Sequence, residues 1–350
     1  MFQTVFDLSN IHFTTSEMCR PLLVAACNSA PDIARYVELG TSEEGRPISA
    51  VVLGNGDRTV SLIAGAHSDE PAGPETLRLF VLQGIRNRDE LTDLFEEFTF
   101  VIVPHINPDG EAKNQPWIVA WPSATALLQH IFREPPGRDL EFGFPQMRKE
   151  NRLVSAFLRN HAPFSLHMSL HGMAYSDGVM LLIEKNWIDR TQELRKDFSD
   201  MGSSFGLALH DHDRKGEKGF QYIGPGYTTT PEGTAMRAYF KSIGDPKTAR
   251  LFHDSSMEFV RKLGGDPLCL VTELPLLLIR KEVDREQPGV PVAYLDFKKC
   301  LPNLRARVLR GEDINHTLDE FKLETMELNM QARLQLHALE LGLEVVNRKK

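Results

Sequence analysis

The chain has 350 residues, 40 basic against 48 acidic side chains and a formal net charge of −8, with 41% apolar and 25% charged residues. That is an ordinary globular mix, long enough for one large α/β domain or two smaller ones and for a core without disulfide or metal staples. It excludes collagen-like and disordered chains, and its acidic balance gives no electrostatic reason to expect nucleic acid or an anionic membrane as partner.

The N-terminus, Met1 to Asp7, lacks a basic segment followed by an apolar one, so no signal peptide is expected and the default location is the cytoplasm. No stretch reaches the ~18 apolar residues of a membrane helix. Cys19, Cys27, Cys269 and Cys300 form no C-x-x-C pair and read as reduced thiols. Strands are predicted at 48–53, 59–64 and 98–103, the last two nearly continuous in apolar residues, as strands buried on both faces are. A helix over 74–82 lies between them, with Pro74 at its first position and Glu75 at its positive dipole end. The segment 110–147 has little periodicity and reads as a long ordered excursion, followed by a helix near 148–160. Further strands are expected at 164–170, 179–183 and 268–272, and helices near 187–205 and 246–263, with a second excursion at 210–231. From about 310 to 346 the chain reads as helix, and its stripe from Met326 to Val345 suits packing on the domain's own core, with a homodimer contact as the alternative. This alternation predicts an α/β fold with a mixed, mostly parallel sheet and helices on both faces.

The sharpest local feature is His67-Ser68-Asp69-Glu70-Pro71-Ala72-Gly73, a turn between a buried strand and a helix. Imidazole and carboxylate are proper zinc ligands, and sites in such sheets gather at the carboxyl ends of strands. The spacing alone is weak, because His337-Ala338-Leu339-Glu340 repeats it inside the C-terminal helix. A third ligand comes best from Ser165-Leu166-His167-Met168-Ser169-Leu170-His171-Gly172. There His167 and His171 share one face about 13 Å apart at strand rise, too far for one ion. His171, followed by glycine, reads as the strand's carboxyl end, and His167 as a hydrogen-bonded neighbour. Two histidines and a glutamate leave a fourth position open, as in catalytic zinc sites. Glu273, isolated in the apolar run Leu268 to Leu276, is the natural base, since burial raises a carboxyl pKa. His105 reads as support for the site or a packed side chain.

These residues resemble the zinc carboxypeptidases. The family's H-x-x-E turn, N-P-D-G turn, distal histidine and late glutamate match His67/Glu70, Asn107-Pro108-Asp109-Gly110, His171 and Thr272-Glu273-Leu274, within a similarity from Glu38 to Pro275. The resemblance implies an α/β/α sandwich, one Zn2+ on His67, Glu70 and His171, and hydrolysis of a peptide or small amide with Glu273 as general base. It places the catalytic domain at 1–305, with 306–350 as a helical segment packed on it. Gly137-Arg138-Asp139-Leu140-Glu141-Phe142 departs from the family: its carboxylate-gripping Asn-Arg pair becomes Glu141 and Phe142. An acid there favours a cationic or neutral substrate group, with Asp69, Asn107, Glu141 and Phe142 as candidate substrate contacts. The family's oxyanion arginine has no match in 117–124, and its pocket tyrosine none near 255–259. Arg133, Arg138, Arg214 and Lys215 read as loop charges or anion binders. The alternatives are an N-acyl amino acid deacylase of the aspartoacylase and succinylglutamate desuccinylase branch, or a metal-binding relative without catalysis.

Overall fold

The apolar runs become neighbours in one sheet. The computed structural model describes residues 1–283 and 287–348. The strands are β1 (Ala34–Thr41), β2 (Pro47–Leu53), β3 (Arg58–Ala64), β4 (Phe98–Val103), β5 (Leu166–Ser176), β6 (Met180–Ile183), β7 (Tyr222–Gly224), β8 (Tyr227–Thr229), β9 (Leu268–Ile279) and β10 (Leu323–Thr325). Their order is β1-β2-β4-β3-β5-β9-β6-β8-β7, with β10 on the distal half of β9. The central four, β4, β3, β5 and β9, are parallel, and β2 and β6 join them antiparallel on either side.

Strand alternation sorts the side chains into two layers. Val60 and Leu62 of β3 and Leu166 and Met168 of β5 pack with Leu77 and Phe80 of helix Ala72–Arg86 and Leu334 and Leu341 of helix Leu328–Asn347. On the opposite face, Ile63 and Val101 meet Val154 and Leu158 of helix Lys149–Arg159 and Phe259 of helix Ser256–Lys262. The result is the expected α/β fold with helices on both faces and a mixed sheet, parallel in the middle.

Several expectations need correction. β5 and β9 do not stop at His171 and Thr272; their ladder runs on from His171↔Glu273 to Ser176↔Leu278, and β10 pairs with the end of β9. That extension has its own core, where Ile279 packs with Phe297 and Leu304 of helix Val292–Leu309. The expected helix over 246–263 is split into Pro246–Ala249 and Ser256–Lys262, because Ser255 and Glu258 form a capping box that starts a new helix. The segment 310–346 is likewise not one helix: Gly311 and Lys322 take positive φ, and helix Asn315–Glu320 and β10 precede helix Leu328–Asn347. The division at 305/306 falls inside helix Val292–Leu309, and the last helix belongs to the main core. Helix Ser16–Ser29 and strand β1 were not foreseen, and the excursion 110–147 holds helices Pro108–Ile118 and Ala124–His130. All four cysteines are free, and among the described residues no helix is long and apolar enough to cross a membrane.

Candidate metal centre

Two glycines bring the turn after β3 against β5. Gly65 leaves the strand at φ +70, and a Cβ on it would sit 2.5 Å from the His105 ring. A Cβ on Gly73 would lie 2.5 Å from the Leu170 carbonyl oxygen, so only glycine lets the helix start this close to the strand. The turn between them therefore delivers His67 and Glu70 to His171. His171 Nδ1 lies 3.0 Å from His67 Nδ1 and 2.8 Å from Glu70 Oε2, and His67 Nδ1 lies 3.1 Å from Glu70 Oε1. These donor atoms all fall within 4.8 Å of one another, and theirs is the one such cluster found among the described residues.

The far nitrogens also meet carboxylates. His67 Nε2 lies 3.3 Å from the Asp139 carboxylate and His171 Nε2 lies 3.1 Å from Glu141 Oε2. With a cation at the point between the two Nδ1 atoms, each Nε2 would carry the proton it gives to its carboxylate and each Nδ1 would present a lone pair. Glu141 is itself held by the Ser256 backbone N–H at 2.9 Å, the Ser256 hydroxyl at 2.7 Å and the Ser169 hydroxyl at 3.3 Å. Behind Ser256, His167 Nε2 donates to its hydroxyl at 3.2 Å, and Ser61 donates to His167 Nδ1 at 2.6 Å. That arrangement needs a neutral His167, and burial pushes its pKa down to about 4. His167 is thus the expected hydrogen-bonded neighbour.

Charge also fits a cation. Asp69, Glu70, Asp139, Glu141 and Glu273 crowd the site, and Arg133 is the guanidinium in contact, 2.7 Å from Asp69 and paired with Glu70. Burial opposes a proton on His171, yet Glu70 and Glu141 raise its pKa to about 9. Burial likewise opposes protonation of His67, and Glu70 and Asp139 outweigh it, raising that pKa well above the ordinary value. The carboxylates thus demand positive charge at the point the Nδ1 atoms face, which a divalent ion supplies. Glu273 stands opposite His171 on the neighbouring strand. Burial, and then the charge of Glu70, push its pKa up to about 7.

Above these residues lies a cleft of two lobes, about 330 and 320 Å³, sharing His67, Arg133, Leu182, Arg214, Phe220 and Glu273 in their walls. Asp69 lines the first lobe and Phe142 the second. Asn107 lines neither: it caps helix Pro108–Ile118 by accepting from Gly110 N–H, and its amide donates to Glu134 at 2.5 Å. Glu141 is in the second lobe's wall, but it is only 1% exposed and its oxygens are taken by His171 and the serines. The electrostatic bias toward a cationic or neutral group is therefore revised; Arg214 and Lys218 are basic side chains of that wall. His105 is buried at Gly65, accepting from Asn107 N–H at 3.1 Å. Sequence reasoning read Arg133 as a loop charge or anion binder, not as a neighbour of the ligand cluster, and left Asp139, the aspartate of the G-x-D-L run, unassigned. A larger hollow of about 920 Å³ lies elsewhere, beside helix Ser16–Ser29, away from the ligand cluster.

Fold and site together define an α/β/α protein with a His, Glu, His cluster that could hold a metal ion, set along the central parallel strands. Residues 22–230, more than half of the chain, match the zinc carboxypeptidase family, and the chain belongs to that family. Carboxypeptidase B of Astacus astacus is 33% identical over 85 residues, covering 23% of this chain and 28% of that protein. The protein named inactive metallocarboxypeptidase ecm14, from Talaromyces marneffei, is 34% identical over 92 residues, covering 23% of this chain and 16% of its own. The chain thus spans less than a third of the length of these relatives. Carboxypeptidase A from Helicoverpa armigera shares the fold with a TM-score of 0.54 at 12% identity, covering 95% of this chain and 73% of that one. Thrombin activatable fibrinolysis inhibitor does so at 0.51 and 12%, covering 95% and 78%. His67, Glu70 and His171 lie inside the family match; Glu273 lies beyond it.

Proposed function

We propose that this protein hydrolyses a peptide or amide bond at one zinc ion held by His67, Glu70 and His171, with Glu273 as general base. The observation that carries this reading is the convergence of three ligand atoms beside a half-buried carboxylate whose pKa is raised to about 7. A bound zinc ion supplies Lewis acidity, acidifying water and polarising a carbonyl. Glu273 takes a proton from the attacking water and returns it to the leaving amine; a carboxyl group near 7 is matched to both tasks. Arg133, whose side chain keeps 40% of its surface open to the cleft, donates to the carbonyl oxygen as negative charge develops there. Asp139 and Glu141 hold the two imidazoles in the tautomer that ligation needs.

The test is a hydrolysis screen of acylated amino acids against di- and tripeptides, on protein whose zinc content is measured. Turnover abolished by chelator and restored by zinc supports the reading, and preference for acyl amino acids moves it to the deacylase alternative. Full zinc occupancy with no turnover of any amide overturns the catalytic part and leaves a metal-binding relative.

A further inference from the structure

The excursion at 210–231 opens on a second pair of histidines, in the run His210-Asp211-His212. Backbone pairing keeps this stretch extended. His210 N–H donates to the Val179 carbonyl at 3.0 Å, Gly226 N–H donates to the His210 carbonyl at 3.1 Å, and Asp213 N–H donates to the Gly289 carbonyl at 2.9 Å. In extended backbone, alternate residues share a face. Asp211 points one way, accepting from the Tyr222 hydroxyl at 2.6 Å and from Gly289 N–H at 3.0 Å. His210 and His212 point the other way, onto Tyr294 of helix Val292–Leu309, whose ring centre lies 4.7 Å from one imidazole and 5.8 Å from the other. Each imidazole carries a nitrogen that the fold leaves idle. His210 is 1% exposed and its Nδ1 lies 2.5 Å from Asp177 Oδ1, yet its Nε2 is buried with no hydrogen-bond partner among the described residues. His212 Nδ1 is likewise buried and unpartnered. Buried polar atoms are nearly always paired, so two idle nitrogens on neighbouring rings call for a ligand.

The geometry suits a metal ion. The two rings stand 5.5 Å apart between centres at 79°, against 4.6 Å and 69° for His67 and His171. Metal–nitrogen bonds of ~2.0–2.1 Å at a near-tetrahedral angle put two ligating imidazole centres about 5 Å apart. Burial pushes the His212 pKa down to about 4, so that ring is neutral and has a lone pair to give. Asp177 stands to His210 as Asp139 stands to His67, a carboxylate on the far nitrogen that orients the ring. We propose that His210 Nε2 and His212 Nδ1 hold a second divalent ion of the class that prefers imidazole (zinc, copper or nickel), with water completing its coordination. The site shares no residue with the cluster of His67, Glu70 and His171, and it lies behind Tyr294, a wall residue of the first lobe. Two protein ligands hold an ion less tightly than three, so this site fills second as free zinc rises.

The test is equilibrium dialysis of the full chain against Zn2+ at stepped free concentrations, with zinc counted per chain. The wild type should take up two ions in two steps. His210→Asn and His212→Gln should each weaken the second step by at least about tenfold and leave the first in place, which also shows that the variant is folded. His212 is half-buried, so His212→Gln decides the matter where His210→Asn fails to fold. Asp177→Asn, which removes only the outer partner, should weaken the second step by about tenfold. His171→Ala should lose the first step and keep the second. A single ion per chain across the whole range overturns the proposal. So does a second ion whose affinity is unmoved by His212→Gln, since it would then sit on other side chains. Zinc uptake is read without turnover, so failure of the hydrolysis screen alone would leave this result standing.

Discussion

Two H-x-x-E pairs occur in this chain, and only one of them meets a third ligand. His67 and Glu70 lie in a turn after a buried parallel strand and face His171 from β5, 104 and 101 residues away in the chain. His337 and Glu340 lie on helix Leu328–Asn347, where Ala338 and Leu339 pack into the core and Glu340 pairs with the Met1 amino group. The spacing is the same, so spacing is not what makes a metal site. What differs is the strand end beneath the first pair, and the carboxylates that hold the far nitrogens of its imidazoles.

The largest expected effect breaks that contrast at its root. His171→Ala should lower zinc affinity by more than about a hundredfold, beyond what loss of an outer partner does, while His337→Ala leaves it unchanged; zinc per chain after dialysis measures both. Glu273→Gln should retain zinc yet lower amide hydrolysis by about 10²- to 10⁴-fold. Glu141→Gln weakens the hold on His171 and should cost about 10- to 100-fold in zinc affinity, read by competition with a chelator, whereas Glu340→Gln should cost nothing. The smallest effect separates His167 from His171 on one strand face. Burial holds His105 and His167 neutral, with pKa values pushed down to about 4 from 6.5. An unfolded chain protonates both below about 6.5, so it binds more protons than the native state there. Stability is then complete above pH 6.5 and falls as pH drops toward 4, by about 2 kcal/mol for each histidine at pH 4.5. Urea unfolding at pH 7 and 4.5 should show the fall, and it should be shallower in His167→Gln.

The metal cluster could be read from the chain because each member obeys a local rule. Alternation put His167 and His171 on one face, strand rise excluded their sharing one ion, and the apolar run ended at the H-x-x-E turn. The surroundings were less legible. Glu141 lies beside Phe142 in sequence, yet its partner Ser256 is 115 residues on, so nothing near it announced a buried acceptor. Arg133 reaches the site along a stretch without periodicity, between helix Ala124–His130 and Asp139. Strand β1 was missed because it lies on the sheet's edge with one fully buried residue, Ala34, and no clean alternation. The ends of β5 and β9 were misplaced because Gly172 and Pro275 look like terminators, while their ladder runs on through both residues.

The β5–β9 ladder has a consequence for how such a protein can change. His171 and Glu273 sit side by side on adjacent parallel strands, so their separation is inherited from the sheet's own ~4.8 Å repeat rather than from any loop. Insertions or losses in the surrounding excursions can reshape what enters the cleft while Glu273 keeps its station next to His171. Specificity and reactivity are thus mechanically uncoupled, and the first is free to drift without dragging the second along.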